Sequence, residues 1–409
     1  MKIEETQVTS SKSLGKMWIV LILGSLTAFG PLSMDMYLPA LPIVAGDLQT
    51  TTSLAQLSLT ACLLGLAVGQ LIFGPLSDIR GRRKPLVFTL VVYAVASVLC
   101  AISPNIWIFI GLRFVQGVTG AAGIVIARAS ARDMYSGKEL TKFIALLALV
   151  NGAAPILAPI SGGVILNFAS WNAVFIILGL IGLLMFLAVF FFLPETLPVE
   201  NRSESSLLAV FKAFGTLFKN RVFMGVAFTQ AFVMTAMFAY ISGSPFVLQN
   251  IYDVTPQQFS MLFAVNGIGI IIAAQVTGRL SSVISEVNLL LVGILMSFVG
   301  SCLLMLVVVN ELSLLMMTIA LFFVVSSVGM VSTTSFSIGM QSQGKSAGSA
   351  SAFLGLLPFI GGAIVAPLVG IAGDQTAWPM GIVIFGCSVM ALAMYFIFVK
   401  RNVVSEQGN

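Results

Sequence analysis

Histidine is missing from all 409 residues, and only 9% of them carry a charged side chain. Without an imidazole the chain lacks the commonest general base, metal ligand and proton relay, so any proton carrier inside it must be a carboxylate. So few charges beside 58% hydrophobic residues exclude the surface of an ordinary soluble protein. The four cysteines, Cys62, Cys100, Cys302 and Cys387, fall in separate apolar runs with no metal-ligand spacing; they read as packing residues, and no metal site is expected. No small-residue cleavage site follows a short apolar core near the start, so the first apolar run reads as a retained span.

What is abundant is apolar sequence in lengths that cross a bilayer, at about 20 residues per helix. Twelve segments qualify: 17–38, 52–76, 85–103, 106–127, 140–168, 171–193, 222–248, 257–278, 287–309, 312–334, 347–372 and 378–399. The chain is read as an all-α polytopic membrane protein of twelve transmembrane helices. All but one of its 20 Lys and Arg then fall on one side. They sit before the first span, in alternate loops (Arg80, Arg82, Arg83, Lys84; Arg128, Arg132, Lys138, Lys142; Arg279, Lys345) and at the tail (Lys400, Arg401). Such loops mark the cytoplasmic face, which places both termini on the cytoplasmic side of the membrane. The net charge of +5 is a topology signal of this kind, and no nucleic-acid partner is implied.

One basic-side loop, 194–220, is longer than the others and divides the chain into an N-terminal half (1–193) and a C-terminal half (221–409). Within that loop, Leu207 to Phe218 has the pattern of an amphipathic surface helix. Internal repetition supports the division. Ala158, Pro159 and Gly162 precede Trp171, as Ala366, Pro367 and Gly370 precede Trp378, and the Gly74–Asp78 stretch recurs, without its acid, at Gly278–Ser282. Two six-span halves related by an axis along the membrane normal bind substrate between them near mid-membrane.

Two charges lie well inside spans. Arg113 costs at least about 2.5 to 3.5 kcal/mol on insertion scales, so it should face the bundle interior unless it snorkels to the interface marked by Trp107. Asp35 stands in PLSMDMYLPALP, at comparable depth by helical rise. If both face one cavity, directly or through water, the acid is balanced between a nearby cation and burial and is suited to carry a proton; an interfacial Asp at the edge of the first span is the alternative. Pro31 and Pro39 bracket it and should bend or unwind the backbone. At the end of the second span, Asp78 can accept hydrogen bonds from the start of another helix, for which 346–349 is the expected partner, although a topogenic loop would need only its charge. In the fifth span small residues, Ala154, Ala158, Gly162 and Gly163, with Pro155 and Pro159, would admit a neighbouring helix closely. Polar, Met and aromatic positions suited to an adaptable substrate cavity are Tyr37, Gln116, Asn151, Gln230, Met234, Met237, Phe238, Tyr240, Asn266, Phe336 and Phe359.

Several of these stretches carry a resemblance. GPLSDIRGRRKP from Gly74 resembles the basic-side loop between spans two and three of the major facilitator superfamily, with Gly74 at a helix contact, Asp78 at the span end, Gly81 in the turn, and Arg82 and Arg83 following; Ile79 stands where that pattern has a basic residue. LRFVQG, with Arg113 and Gln116, is similar to its fourth-span motif, and NGAAPILAPISGG to its antiporter motif, with Ala158 at a usual glycine. Together with MDMYLPALP and LPETL they resemble the bicyclomycin and chloramphenicol resistance branch of drug:proton antiporters. That resemblance implies a major facilitator fold and proton-driven export of lipophilic drugs without a cofactor, by a monomer, with Asp35 alternating between proton and substrate and Arg113 tuning it. A nutrient uptake symporter of the same fold is the alternative. A membrane-embedded enzyme is disfavoured by the lack of histidine, of metal-spaced ligands and of paired intramembrane carboxylates.

Overall fold

In the computed structural model, residues 18–202, 215, 217, 218, 220–341 and 347–400 are described, apart from the side chains of 138, 141, 142, 144, 145, 148, 151 and 347–349. The surface helix expected over Leu207–Phe218 therefore lies largely outside the described residues.

The chain is a bundle of rods. The first, α1, is broken: Trp18–Thr27 and Phe29–Asp47 meet at a bend of 40°. The others are α2 (Thr52–Arg80), α3 (Arg83–Ala101), α4 (Ile106–Met134), α5 (Gly137–Ile165), α6 (Asn172–Phe192), α7 (Arg221–Phe246), α8 (Pro256–Leu280), α9 (Glu286–Val309), α10 (Leu314–Gln341), α11 (Ala347–Val369) and α12 (Trp378–Met394). Among the described residues ten are long and apolar enough to cross a membrane, and the bent pair makes an eleventh. α5 spans 29 residues, of which Gly152–Ile165 forms the apolar described part. Polar caps set where several of them begin. Asn105 Oδ1 accepts the backbone N–H groups of Trp107 and Ile108, Ser285 caps α9, and Thr255 and Gln258 form a reciprocal capping box before Pro256. Each such cap contributes about 1 kcal/mol.

Four boundaries differ from the hydropathy reading in ways that matter. At the cation-rich end α2, α4 and α10 run past positions 76, 127 and 334 to Arg80, Met134 and Gln341, because charged residues in the first two and polar ones in the third end hydropathy without ending the helix. More consequentially, α1 does not stop at 38. A 3-10 turn at Leu38–Ala40, where Pro39 cannot donate a backbone hydrogen bond, leads into a further helical stretch, Leu41–Asp47. Asp35 thus lies twelve residues short of the end of its rod, about 18 Å by helical rise. It is buried inside the bundle.

Within each half the tightest crossing is made by glycine. A Cβ added at Gly65, Gly69 or Gly117 would overlap a backbone carbonyl of the facing helix, which locks α2 against α4. Gly329 does the same for α10 against α8 at the equivalent place in the second half, and Gly269 lets α8 approach the side chains of Ser326 and Phe322. The halves meet along two equivalent pairs, α2 with α11 and α5 with α8. Four hydrogen bonds between described residues cross that interface from a side chain to a carbonyl. Ser53 Oγ donates to Pro367 O (2.9 Å), Gln56 Nε2 to Ser242 O (2.9 Å), Gln249 Nε2 to Pro39 O (3.2 Å) and Gln257 Nε2 to Gly163 O (3.1 Å). All four lie toward the cation-poor end, so the bundle is closed there.

Candidate functional site: the buried acid at the α1 break

Asp35 is the last residue of the Phe29–Asp35 helical stretch and is 3% exposed. Beside it α5 presses close, since a Cβ on Gly162 would overlap the Met36 carbonyl. On the other face the Leu38–Ala40 turn packs on α7 and α8 of the second half. The small residues of the fifth span therefore serve two contacts. Gly162 admits α1, and Gly163, against Ser260, admits α8. Ala154, Ala158 and Pro159 are buried along the same rod, and α5 is helical throughout despite Pro155 and Pro159.

Arg113 is fully buried, and it does not snorkel. Its Nη1 donates to Ser33 O (2.8 Å) and to Gln116 Oε1, and its guanidinium lies over the rings of Tyr37 (4.5 Å) and Phe175 (5.5 Å). Gln116 Nε2 in turn donates to Ser97 Oγ (2.8 Å), Ser97 Oγ to Tyr93 O (2.7 Å), and Tyr93 and Ser33 share a hydroxyl hydrogen bond of 2.7 Å. These bonds close a ring through α1, α3 and α4. Tyr37, Phe109, Trp171 and Phe175 pack edge to face on the side away from the cation-rich end. A cation lying over two of these rings recovers part of the desolvation cost of the guanidinium.

No ion pair joins Asp35 to Arg113 among the described residues, although the guanidinium acts electrostatically on the carboxylate. Asp35 Oδ1, and Arg113 Nε and Nη2, have no hydrogen-bond partner among them. The guanidinium is thus anchored on the Ser33 carbonyl, two residues from the acid, and the carboxylate keeps an open oxygen. A buried carboxylate so placed can exchange a proton without breaking a salt bridge.

The remaining expected cavity residues divide. Tyr37, Phe238 and Tyr240 belong to one buried cluster, with Met237 and Phe359 packed on it and the rings of Phe238 and Phe359 5.8 Å apart. Asn266 Nδ2 donates to Tyr240 Oη at 2.9 Å. Met234 accepts from Ser332 Oγ, and Gln230 is half-buried with an unpartnered Oε1. Phe336 is 50% exposed and stands apart from that cluster. The side chain of Asn151 lies outside the described residues.

At the cation-rich end the loop from Gly74 to Pro85 builds a charge cluster within its own half. Arg82 donates to Asp78, to Ser77 Oγ (2.8 Å) and to Asp133 Oδ2 at the end of α4 (2.8 Å). Glu195, from LPETL, accepts the backbone N–H groups of Arg82 (2.8 Å) and Arg83 (3.2 Å), so the acid caps the start of α3. Arg83 also donates to Phe190 O. Burial opposes the charge of Arg82, but the hydrogen bonds to Asp133 and Asp78 outweigh it and raise the guanidinium above its ordinary value. Gly81 sits at φ +86°, where only glycine is at ease. Gly74 is not a close-contact glycine, since its Cβ would meet only Val125 at an ordinary 3.6 Å; the close approach is made earlier on α2, by Gly65 and Gly69. Ser346 and the side chains of 347–349, the expected partners of Asp78, lie outside the described residues.

Sequence reasoning missed Asp133, Ser33, Tyr93, Ser97 and the Phe109–Phe175 cage, none of which has a motif of its own. Glu195 was visible only as part of LPETL.

The sequence profile of the Major Facilitator Superfamily matches residues 23–366. The chain is 45% identical over 387 residues to the MFS-type transporter YdgK of Bacillus subtilis (strain 168), covering 94% of this chain and 96% of that one. To a bicyclomycin resistance protein homolog of Haemophilus influenzae it is 32% identical, covering 95% and 97%, and to a chloramphenicol resistance protein of Pseudomonas aeruginosa 34% identical, covering 64% and 61%. Among solved structures, the nucleoside transporter NupG matches with a TM-score of 0.77 at 11% identity, covering 93% of this chain and all of that one, a likeness of fold alone. The rods, the two equivalent contacts between halves and these matches agree: this multi-pass bacterial membrane protein is a transporter, not an enzyme, and it belongs to the Major Facilitator Superfamily, in the branch of the bicyclomycin and chloramphenicol resistance proteins.

Proposed function

We propose that the chain is a proton-coupled antiporter that exports lipophilic drugs, of the kind named by its resistance-protein relatives, from the bacterial cytoplasm. One observation carries this reading. Among the described residues Asp35 is an acid buried within a rod, where α1 gives way to the Leu38–Ala40 turn that packs on the second half, with an open carboxylate oxygen and Arg113 nearby but not paired. A carboxylate exposed in turn to each side by rocking halves takes a proton from outside and yields it inside as substrate binds. The cation-rich end is the cytoplasmic one, by the positive-inside rule, and both termini lie there. The proton gradient is the only energy source required, with no cofactor and one copy of the chain. Met234, Met237, Phe238 and Phe359 offer deformable apolar surface for varied lipophilic compounds.

The test is made in inverted membrane vesicles with an acidified lumen. Adding chloramphenicol to the outside should dissipate the gradient, because the drug enters as protons leave. An uptake symporter gives the opposite coupling, and a compound that enters without moving the gradient would refute proton exchange.

A further inference from the structure

Where the second half meets the α1 break, one of its side chains reaches the backbone just past Asp35. The sequence from Leu38 reads LPALP, so Pro42 stands three residues after Pro39. In the 3-10 turn Leu38–Ala40 the Leu38 carbonyl accepts the Leu41 N–H, but the donor that the same pattern would give the Pro39 carbonyl is residue 42, which has no N–H. The carbonyl left spare is taken by Gln249 Nε2 at 3.2 Å, from the wide π-type turn Val247–Ile251 that carries α7 onward. About 10 Å back along α7 by helical rise, Ser242 O accepts from Gln56 Nε2 at 2.9 Å. Gln56 is 1% exposed and lies against Gly370 of α11, where an added Cβ would meet its Oε1. α7 is thus fastened twice by neutral amides, to α1 and to α2. The other two ties between the halves have the same character, because Gly163 and Pro367 stand among the last four residues of α5 and α11, where helix carbonyls lose their donors. The ion pairs between described residues, Arg82 with Asp78 and with Asp133, lie at the other end and within the first half.

Building on the proton-carrier reading of Asp35, we infer that Gln249 is a positioning residue of the transport cycle: its amide holds the spare Pro39 carbonyl and so shuts the Asp35 break off from the cation-poor side, with Gln56 as the second tie on α7. Pro39 is four residues from Asp35, so parting of the Gln249 bond frees the segment that carries the acid. A neutral tie suits a seal that must break in every cycle. Amide and carbonyl exchange one another for water at small net cost, whereas separating a buried ion pair would strand two charges.

The experiment needs neither drug nor gradient, so its outcome is independent of what Asp35 carries. Purified full-length protein in lipid nanodiscs is placed in deuterated water, and backbone exchange is followed by mass spectrometry. In Gln249→Ala, segments 36–48 and 242–251 should exchange about fivefold faster than in the unsubstituted protein, the effect of losing one neutral hydrogen bond. Segments 76–88 and 128–136 should exchange more slowly, by a smaller factor, because halves that part at one end close at the other. Adding Gln56→Ala should enlarge both changes. Gln249→Glu should match Gln249→Ala at pH 8, since an ionised carboxylate has no proton to donate to a carbonyl, and it decides the matter if the alanine variant does not fold. Unchanged exchange at the cation-poor end would overturn the inference. So would faster exchange there with no slowing at the cation-rich end, which is local loosening alone. Failure of the proton-carrier reading shows elsewhere, as uphill transport that survives in Asp35→Asn.

Discussion

At the cation-rich end the two halves tie equivalent rods with opposite chemistry. In the first, Arg82 at the start of α3 reaches Asp133 at the end of α4, flanked by Asp78 and Glu195. In the second, an acid at the start of α9, Glu286, accepts from Ser337 Oγ and Gln341 Nε2 at the end of α10, both at 2.6 Å. The contrast repeats in the interior. The first half holds Asp35 and Arg113, while the second offers Tyr240, Asn266 and apolar side chains. Equivalent backbones thus divide the work: one half carries charge that must be compensated, and the other supplies neutral surface that can meet either a proton carrier or a drug. Glycine alone is used alike in both, because close crossing is a demand of the rods and not of the chemistry.

Two pairs of substitutions sharpen that comparison. The largest effect is expected at Gly162, where any side chain meets the Met36 carbonyl. Gly162→Val should abolish the recovery of monodisperse protein, whereas Gly74→Ala, which adds only ordinary contact with Val125, should leave it unchanged. Equal yields would show that the Asp35 break is not held as described. A smaller difference separates the two end ties. Arg82→Ala leaves Asp133 and Asp78 unneutralised and should lower stability by about 3 kcal/mol. Glu286→Gln, in the counterpart where the acid meets only the neutral Ser337 and Gln341, should cost under about 1 kcal/mol. Thermal unfolding in detergent should rank them in that order, and a reversed ranking would contradict the division of charge between halves.

Much of the scaffold was legible in the sequence because a bilayer imposes span lengths that hydropathy reports directly. Arg113 was legible as well, since an intramembrane guanidinium has few places to go. The full length of α1 was not. Pro39, Pro42 and the polar end at Asp47 interrupt the apolar pattern while the chain continues through a 3-10 turn and a last helical stretch. The Ser33–Tyr93–Ser97–Gln116 ring was hidden for another reason, because single hydroxyls in spans bond their own helix as readily as a neighbour. Nor could periodicity show that Gln56, Gln249 and Gln257 each donate to a carbonyl of the opposite half, since an isolated polar residue in an apolar run gives no sign of its partner.

The central claim is that Asp35 couples the proton to transport, and it is tested most directly with Asp35→Asn protein in vesicles. Exchange of labelled chloramphenicol for unlabelled across the membrane, with no gradient, should persist because the halves still rock. Uphill accumulation driven by an acid lumen should be lost. An Asp35→Asn protein that still concentrates the drug at the full rate, and still dissipates the gradient as it does so, would contradict the account.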